Sequence, residues 1–316
     1  MLCETFLLYI RKWRRHMNKD YAIKLCERLS FPSEATEFFG ECIDKVNANA
    51  LASVLMDETL ISFEKSGWSN DGIKHRFPRI AEVAGLNEYT VCMLFLLEAC
   101  HDLERRYSEA GYSEQLFIDT MSDMKYKLME CKEVKGVWGT FVITWYPGFF
   151  NMTRFALGRF QFEKREFSHE FYGVGGHYLR KGDTVLNFHI PSSGVPLTDE
   201  VRFDSYRRAK EFFFPDSDKP CAFVCSSWLL YPGYEEYLPD RLNIKRFRHD
   251  FTVLSYNESD SFGNGWRVFG GKADLPASEL PRDTTQRRVF ADYCENGGKH
   301  GGGYGVFLFD GEKIVK

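Results

Sequence analysis

The segment Thr184-Val-Leu-Asn-Phe-His-Ile-Pro191 places a histidine where acid–base chemistry is feasible. In an extended chain, alternation puts Leu186, Phe188 and Ile190 on one face and Val185, Asn187 and His189 on the other. His189 falls near the strand's carboxyl end, where α/β sheets bind ligands. Its ordinary pKa near neutrality suits a general base. The competing reading is a packed imidazole bonded to a loop carbonyl. A second segment, Cys221 to Trp228, puts Phe223, Cys225 and Ser227 on one face. If it pairs in parallel with the His189 strand, Cys225 ends beside it, and a Cys–His pair could supply a thiolate nucleophile. An inert, half-buried thiol is the alternative. Tyr231, Tyr234 and Tyr237 follow on a short helical stretch. A phenol there could protonate a leaving thiolate, or pack in the core. Between His189 and the next helix, Ser192, Ser193 and Gly194 are small enough to present backbone N–H groups to a pyrophosphate. Asp199 and Glu200 in that helix's first turn would repel an anion while stabilising the helix itself.

These residues need a frame that holds two strand ends side by side. Residues 1–153 read as helices, with apolar positions three and four apart and glycine sparse. From residue 154 the period changes to two, as Phe160 and Phe162 alternate with Gln161 and Glu163. Expected strands cover 157–166, 184–190, 221–226, 250–257, 265–270 and 304–310. Expected helices cover 199–214, 233–239 and 283–296. The order strand, helix, strand, helix over 184–239 favours a parallel pair joined by a right-handed crossover. The expectation is an α+β chain: an all-helical N-terminal domain, 1–153, followed by a mixed sheet with flanking helices, 154–316.

Composition excludes several classes. The 51 Phe, Tyr and Trp residues among 316 are too many for a disordered chain. A net charge of −4 does not suit a general binder of nucleic acid or anionic membrane. Residues 80–95 fit a helix–turn–helix pattern, but the second helix is apolar on most faces and has no Arg or Lys before Arg105, so a buried helix is expected. The basic run Arg11, Lys12, Arg14, Arg15 and His16 reads as a solvated helix face, and the glycine-rich run 297–305 as a turn or a ligand-covering loop. No segment approaches the roughly 20 apolar residues of a membrane span, and the first residues, with positive charge after the apolar run, do not read as a secretory signal, so neither is expected. Nine cysteines without C-x-x-C spacing suggest reduced thiols, no metal and a cytoplasmic setting.

The string of short motifs then resembles a known family. In order they are Gly158-Arg159-Phe-Gln161-Phe162-Glu163, His189-Ile190-Pro191, Pro196-Leu197, Ser205, Ala209, Phe212-Phe213, Phe223, Cys225, Ser227-Trp228-Leu229-Leu230, Leu238-Pro239, Asn243-Ile244, Phe247, Val268-Phe269-Gly270, Leu280-Pro281 and Thr285-Gln286-Arg287. This series is similar to bacterial acyltransferases that pair a helical N-acyltransferase N-terminal domain with a GNAT-like C-terminal domain. The resemblance implies transfer of an acyl group from a thioester, such as acyl-CoA, to the amine of a small molecule. It implies that His189 is the base, Tyr231 or Tyr234 the acid, and the Cys225/Ser227 strand the partner of the His189 strand. Ile190, Pro191, Ser192, Ser193, Gly194, Trp228 and Arg287 would contact the donor. The Gln/Arg-x-x-Gly-x-Gly/Ala phosphate loop of GNAT enzymes is absent, so an acyl carrier protein stays open as donor. Two other readings remain beside direct transfer: a Cys225 acyl-enzyme or hydrolase, and a non-catalytic acyl-CoA-binding protein.

Overall fold

The computed structural model describes residues 16–316, and the chain divides into two compact units, Met1–Thr153 and Arg154–Lys316. The basic run at Arg11–Arg15 lies outside the described residues.

The first unit is helical: α1 (Lys19–Arg28), α2 (Ser33–Ala48), α3 (Ala50–Lys65), α4 (Arg76–Ala84), α5 (Glu88–Glu109), α6 (Glu114–Met121), α7 (Asp123–Lys135) and the single turn α8 (Pro147–Phe150). Its punctuation is local. Asn18, Asn49, Asn87 and Ser113 accept backbone N–H bonds as N-caps, and Gly85 and Gly136 close helices in the left-handed conformation. The helix–turn–helix pattern at 80–95 is α4, Gly85 and α5. Thr90 to Leu97 of α5 are all buried, so this helix is core and offers no reading face. Among the described residues no single helix is long and apolar enough to cross a membrane.

The second unit is a sheet with helices. Its elements are β1 (Arg154–Leu157), β2 (Phe160–Glu166), β3 (Phe171–Val174), β4 (His177–Arg180), β5 (Thr184–His189), α9 (Asp199–Phe213), β6 (Cys221–Ser227), α10 (Asn243–Arg248), β7 (Thr252–Ser259), α11 (Trp266–Phe269), α12 (Thr285–Glu295), β8 (His300–Phe309) and β9 (Ile314–Val315). The main sheet runs β1-β2-β5-β6-β8-β7, with β9 on β8, and β3-β4 form a separate hairpin. Only β5 and β6 pair in parallel, joined through α9; the other pairs are antiparallel. One sheet face is aromatic. Phe160, Phe162, Phe188, Phe223 and Phe307 pack there against Tyr206 of α9, with the Phe223 and Phe307 rings stacked at 5.1 Å. Rings of this size bury roughly 150–250 Å² each and dominate such a core.

Three expectations fail for physical reasons. Residues 265–270 are not a strand. Asn264 and Gly265 carbonyls accept from Arg267 and Val268, winding the segment into α11, while Val268 and Phe269 are buried in a local aromatic cluster. A short apolar run suits either state. Residues 233–239 are not a helix. Pro232 and Pro239 bracket the segment, and only a 3₁₀ turn, Pro232–Tyr234, forms. The glycine run is divided: Gly297 and Gly298 turn, but Gly301 to Gly305 lie inside β8. There the absent side chains admit neighbouring backbone. A Cβ on Gly303 would stand 2.5 Å from the Leu230 carbonyl oxygen. Gly303→Ala is therefore expected to cost about 1–3 kcal/mol, the usual range for overpacking. Thermal unfolding of the C-terminal domain checks it, and an unchanged midpoint would refute this account of the run.

Candidate active site

β5 and β6 stay in register only at Leu186↔Phe223 and Asn187↔Val224, although β5 runs on to His189 and β6 to Ser227. Each remains paired with its outer neighbour, His189 with Gln161 of β2 and Ser227 with Gly303 of β8. The parallel strands therefore part at their carboxyl ends. A splay of this kind offers strand edges to the amide groups of an extended ligand.

His189 stands at this end on the face opposite the aromatic core. Its side chain keeps 23% exposure. The register places Arg154 of β1, Glu163 of β2 and Asn187 of β5 across from one another in one row. His189 Nε2 lies 2.9 Å from Glu163 Oε1, and Asn187 Nδ2 lies 3.2 Å from the same oxygen. Arg154 Nη2 donates to both carboxylate oxygens at 3.1 and 3.2 Å, and Arg165 Nη2 donates to Oε2 at 3.1 Å. Glu163 is buried, which by itself favours the acid form, yet the bonds from His189 and Arg154 bring its pKa down to about 2. Burial holds His189 below the usual histidine value; the bond to Glu163 opposes this, and the Arg154 and Arg165 charges reinforce it. The imidazole is thus neutral at neutral pH and able to take up a proton.

Cys225 is not brought to His189. Register sets Cys225 on the aromatic face with Phe223, while His189 and Asn187 face the other way. Its thiol is 1% exposed, and burial pushes it up to about 12. A thiolate is disfavoured there. Ser227 Oγ accepts the Leu229 N–H and starts a 3₁₀ turn. Tyr231 donates to Glu258 Oε2 at 2.5 Å. Tyr234 Oη lies 3.0 Å from His300 Nδ1, and His300 Nε2 is 3.5 Å from Cys294 Sγ. Both phenols are raised by burial, as expected of packed rings. Trp228 belongs to the same aromatic cluster, against Phe262 and Phe290. Arg287 spends its guanidinium on the Val268 carbonyl and the Asp283 carboxylate.

The loop after β5 is held from outside. Arg159 donates to the carbonyls of Pro191 and Val195, both at 2.8 Å. Ser192 and Gly194 are exposed, Ser193 and Ile190 partly so, and Gly194 has φ +77°. The loop ends at Thr198, whose hydroxyl caps α9. Arg154 and Glu163 beside His189, and Arg159 on the loop, are not among the candidate residues that the sequence singles out. The alternation of Gln161 and Glu163 with Phe160 and Phe162 is the available signal; it becomes informative once β2 pairs with β5. Among the described residues no group of three or more His, Cys, Asp or Glu is placed to hold a metal ion.

Residues 20–152 match the family described as the N-acyltransferase N-terminal domain, and residues 155–307 match the GNAT-like C-terminal domain. Among curated proteins, no relative matches in sequence. Solved structures share the fold along nearly the whole chain. An acyltransferase in complex with decanoyl-CoA and teicoplanin is 20% identical with a TM-score of 0.72, covering 96% of this chain and 94% of that one. An acyltransferase mutant in complex with octanoyl-CoA is 19% identical with a TM-score of 0.69, at 96% and 94% coverage. An acyltransferase in complex with CoA and 10C-teicoplanin is likewise 19% identical with a TM-score of 0.69, at the same coverage. The chain belongs to the acyltransferase family that joins an N-acyltransferase N-terminal domain to a GNAT-like C-terminal domain.

Proposed function

We propose that the protein moves an acyl group directly from acyl-CoA to the amine of a small molecule, with His189 taking the amine proton. The observation that carries this reading is the position of His189: a neutral, partly exposed imidazole at the end of β5, where β5 and β6 part. An amine attacks only as its free base, so a neutral imidazole beside it has a defined task. Holding donor and amine together supplies much of the rate.

Coenzyme A is favoured over an acyl carrier protein because the fold relatives hold octanoyl-CoA and decanoyl-CoA. The chain's own features fit such a donor. The splay suits its amide-bearing arm, and the exposed Ser192 and Gly194 lead into the capped start of α9. Arg159 keeps this loop in shape through two carbonyls. The donor supplies the activated carbonyl, and the loop and strand ends orient it. For Tyr231 and Tyr234, bonded to Glu258 and His300, the support is for structural roles; the departing thiolate can take its proton from solvent.

The test is decanoyl-CoA offered with a panel of amines that includes teicoplanin, read by release of free thiol and by product mass. Thiol release that depends on the amine is expected, and Cys225→Ser is expected to work as well as the wild type. Amine-independent release that is lost in Cys225→Ser would instead establish an acyl-enzyme. Binding of decanoyl-CoA without turnover on any amine would favour a non-catalytic protein.

A further inference from the structure

We infer that Glu163, clamped between Arg154 and Arg165, is the positioning residue that fixes His189 as its Nε2–H tautomer, so that Nδ1 is the nitrogen that accepts the proton. This rests on the proposed role of His189 and adds which atom does the work and what sets it.

An ionised carboxylate only accepts hydrogen bonds. Glu163 is ionised, because Arg154 contacts both of its oxygens and Arg165 one of them. The nitrogen 2.9 Å away, His189 Nε2, must therefore carry the hydrogen. Asn187 Nδ2 is 3.1 Å from Nε2 and 3.2 Å from Oε1. With Nε2 already a donor, the amide gives its hydrogen to the carboxylate too. A neutral imidazole holds one hydrogen, so its lone pair lies on Nδ1. Three strands build this arrangement: β1 brings Arg154, β2 brings Glu163 and Arg165, and β5 brings Asn187 and His189. A buried carboxylate in a strand interior is costly unless matched in this way, and here its neighbours leave it one more bond, to the base.

The charges that bear on His189 are Glu163 and Arg165 from β2 and Arg154 from β1. They act in opposite directions: Glu163 favours the imidazolium and the arginines disfavour it. Two substitutions are therefore expected to move the acid limb of kcat against pH in opposite senses. Glu163→Gln lowers the histidine's proton affinity and moves the limb to lower pH. It also lets the amide donate to Nε2 and populate the wrong tautomer, so the plateau kcat is expected to fall about 10²-fold or more with KM nearly unchanged. Arg165→Gln, at a side chain 59% exposed, spares the fold and moves the limb to higher pH. Limbs that stay in place, or that move in the same direction, would overturn the inference.

A readout independent of turnover is the nitrogen chemical shifts of His189 in ¹⁵N-histidine-labelled protein, assigned with His189→Gln. Nε2 protonated and Nδ1 unprotonated is expected in the wild type, and Nδ1 protonated would refute the assignment. Should Glu163→Gln fail to fold, the wild-type spectrum and Arg165→Gln still decide. If His189→Gln kept full activity while the spectrum showed the Nε2–H tautomer, the proposed function would fail and the positioning by Glu163 would stand.

Discussion

His189→Gln is expected to lower acyl transfer by about 10²–10⁴-fold, the usual contribution of a positioned general base, while binding of decanoyl-CoA is retained. Glutamine is the substitution of choice because its amide can still donate to Glu163, so the buried carboxylate keeps a partner and the row of Arg154, Glu163 and Asn187 stays intact. What is lost is the basic nitrogen. The pH dependence separates this loss from misfolding. In the wild type the base works only when neutral. Burial holds its pKa below the ordinary 6.5, so kcat is expected to be level at neutral pH and to fall only below that value, as protonation removes the acceptor. The residual activity of His189→Gln is expected to lack this acid limb, because no group is left to titrate in the role. The measurement is kcat and KM across pH by thiol release, with donor binding followed calorimetrically. A variant within a few-fold of the wild type, with the acid limb intact, would remove His189 from the chemistry. Loss of donor binding together with activity would make it a structural residue instead.

How far this site was legible in the sequence depends on which interactions are local. The alternation at Thr184–His189 fixes the face of His189, because a strand's period is a property of its own residues. The parallel pairing of β5 with β6 follows from the intervening helix, since a crossover of that kind makes neighbours parallel. Cys225 is less legible: the sequence reading sets it beside His189, and only the register Leu186↔Phe223 shows that the two side chains take opposite faces. Glu163 is different. It lies 26 residues from His189 along the chain and meets it only through the antiparallel β2–β5 register. No local pattern distinguishes a buried Glu163 from an exposed one. The β3–β4 hairpin went unassigned although Gly175-Gly176, between two short alternating runs, is a hairpin signal. Its Phe171 and Tyr178 are exposed, so the usual contrast of buried and polar positions is blurred. Trp228, Tyr231, Tyr234 and Arg287 illustrate the reverse difficulty. Their residue types suit chemistry, but the Phe262 and Phe290 rings and the Glu258, His300 and Val268 contacts that occupy them come from segments distant in sequence; only the Asp283 partner of Arg287 is local, four residues away.

Asp250→Ala is expected to be the most destabilising single change in the C-terminal domain, by about 3–5 kcal/mol. Arg202 of α9 is 2% exposed and makes a two-pronged contact with Asp250, Nε to Oδ2 at 2.7 Å and Nη2 to Oδ1 at 3.0 Å. Tyr206 donates to the same carboxylate at 2.9 Å, and Arg202 Nη1 reaches the Leu197 carbonyl at 2.8 Å. Truncating Asp250 strands a buried guanidinium, which is where the cost arises. At roughly 2–4 °C per kcal/mol for a domain of this size, the midpoint should drop by about 6–20 °C. Taking two charges out of water offsets much of their attraction, so a matched buried pair is replaceable by apolar residues of similar volume. Burial raises the Asp250 pKa above its ordinary 3.8 even with Arg202 and Tyr206 opposing. An acid whose folded pKa is raised contributes stability below its unfolded pKa and loses it as pH rises through the folded value. Burial thus works against the Asp250 carboxylate at neutral pH, while the same contact favours the Arg202 guanidinium, whose pKa Asp250 raises. The double replacement Arg202→Met with Asp250→Leu is accordingly expected to recover most of the midpoint lost by Asp250→Ala. Donor binding is expected to be weaker in the double variant, because it removes Arg202, which also grips Leu197 just before the Thr198 cap where the loop of Ser192, Ser193 and Gly194 ends. Thermal unfolding and decanoyl-CoA titration of the two variants separate these effects. A double variant that regains both stability and affinity would show that the pair serves neither the loop nor the donor.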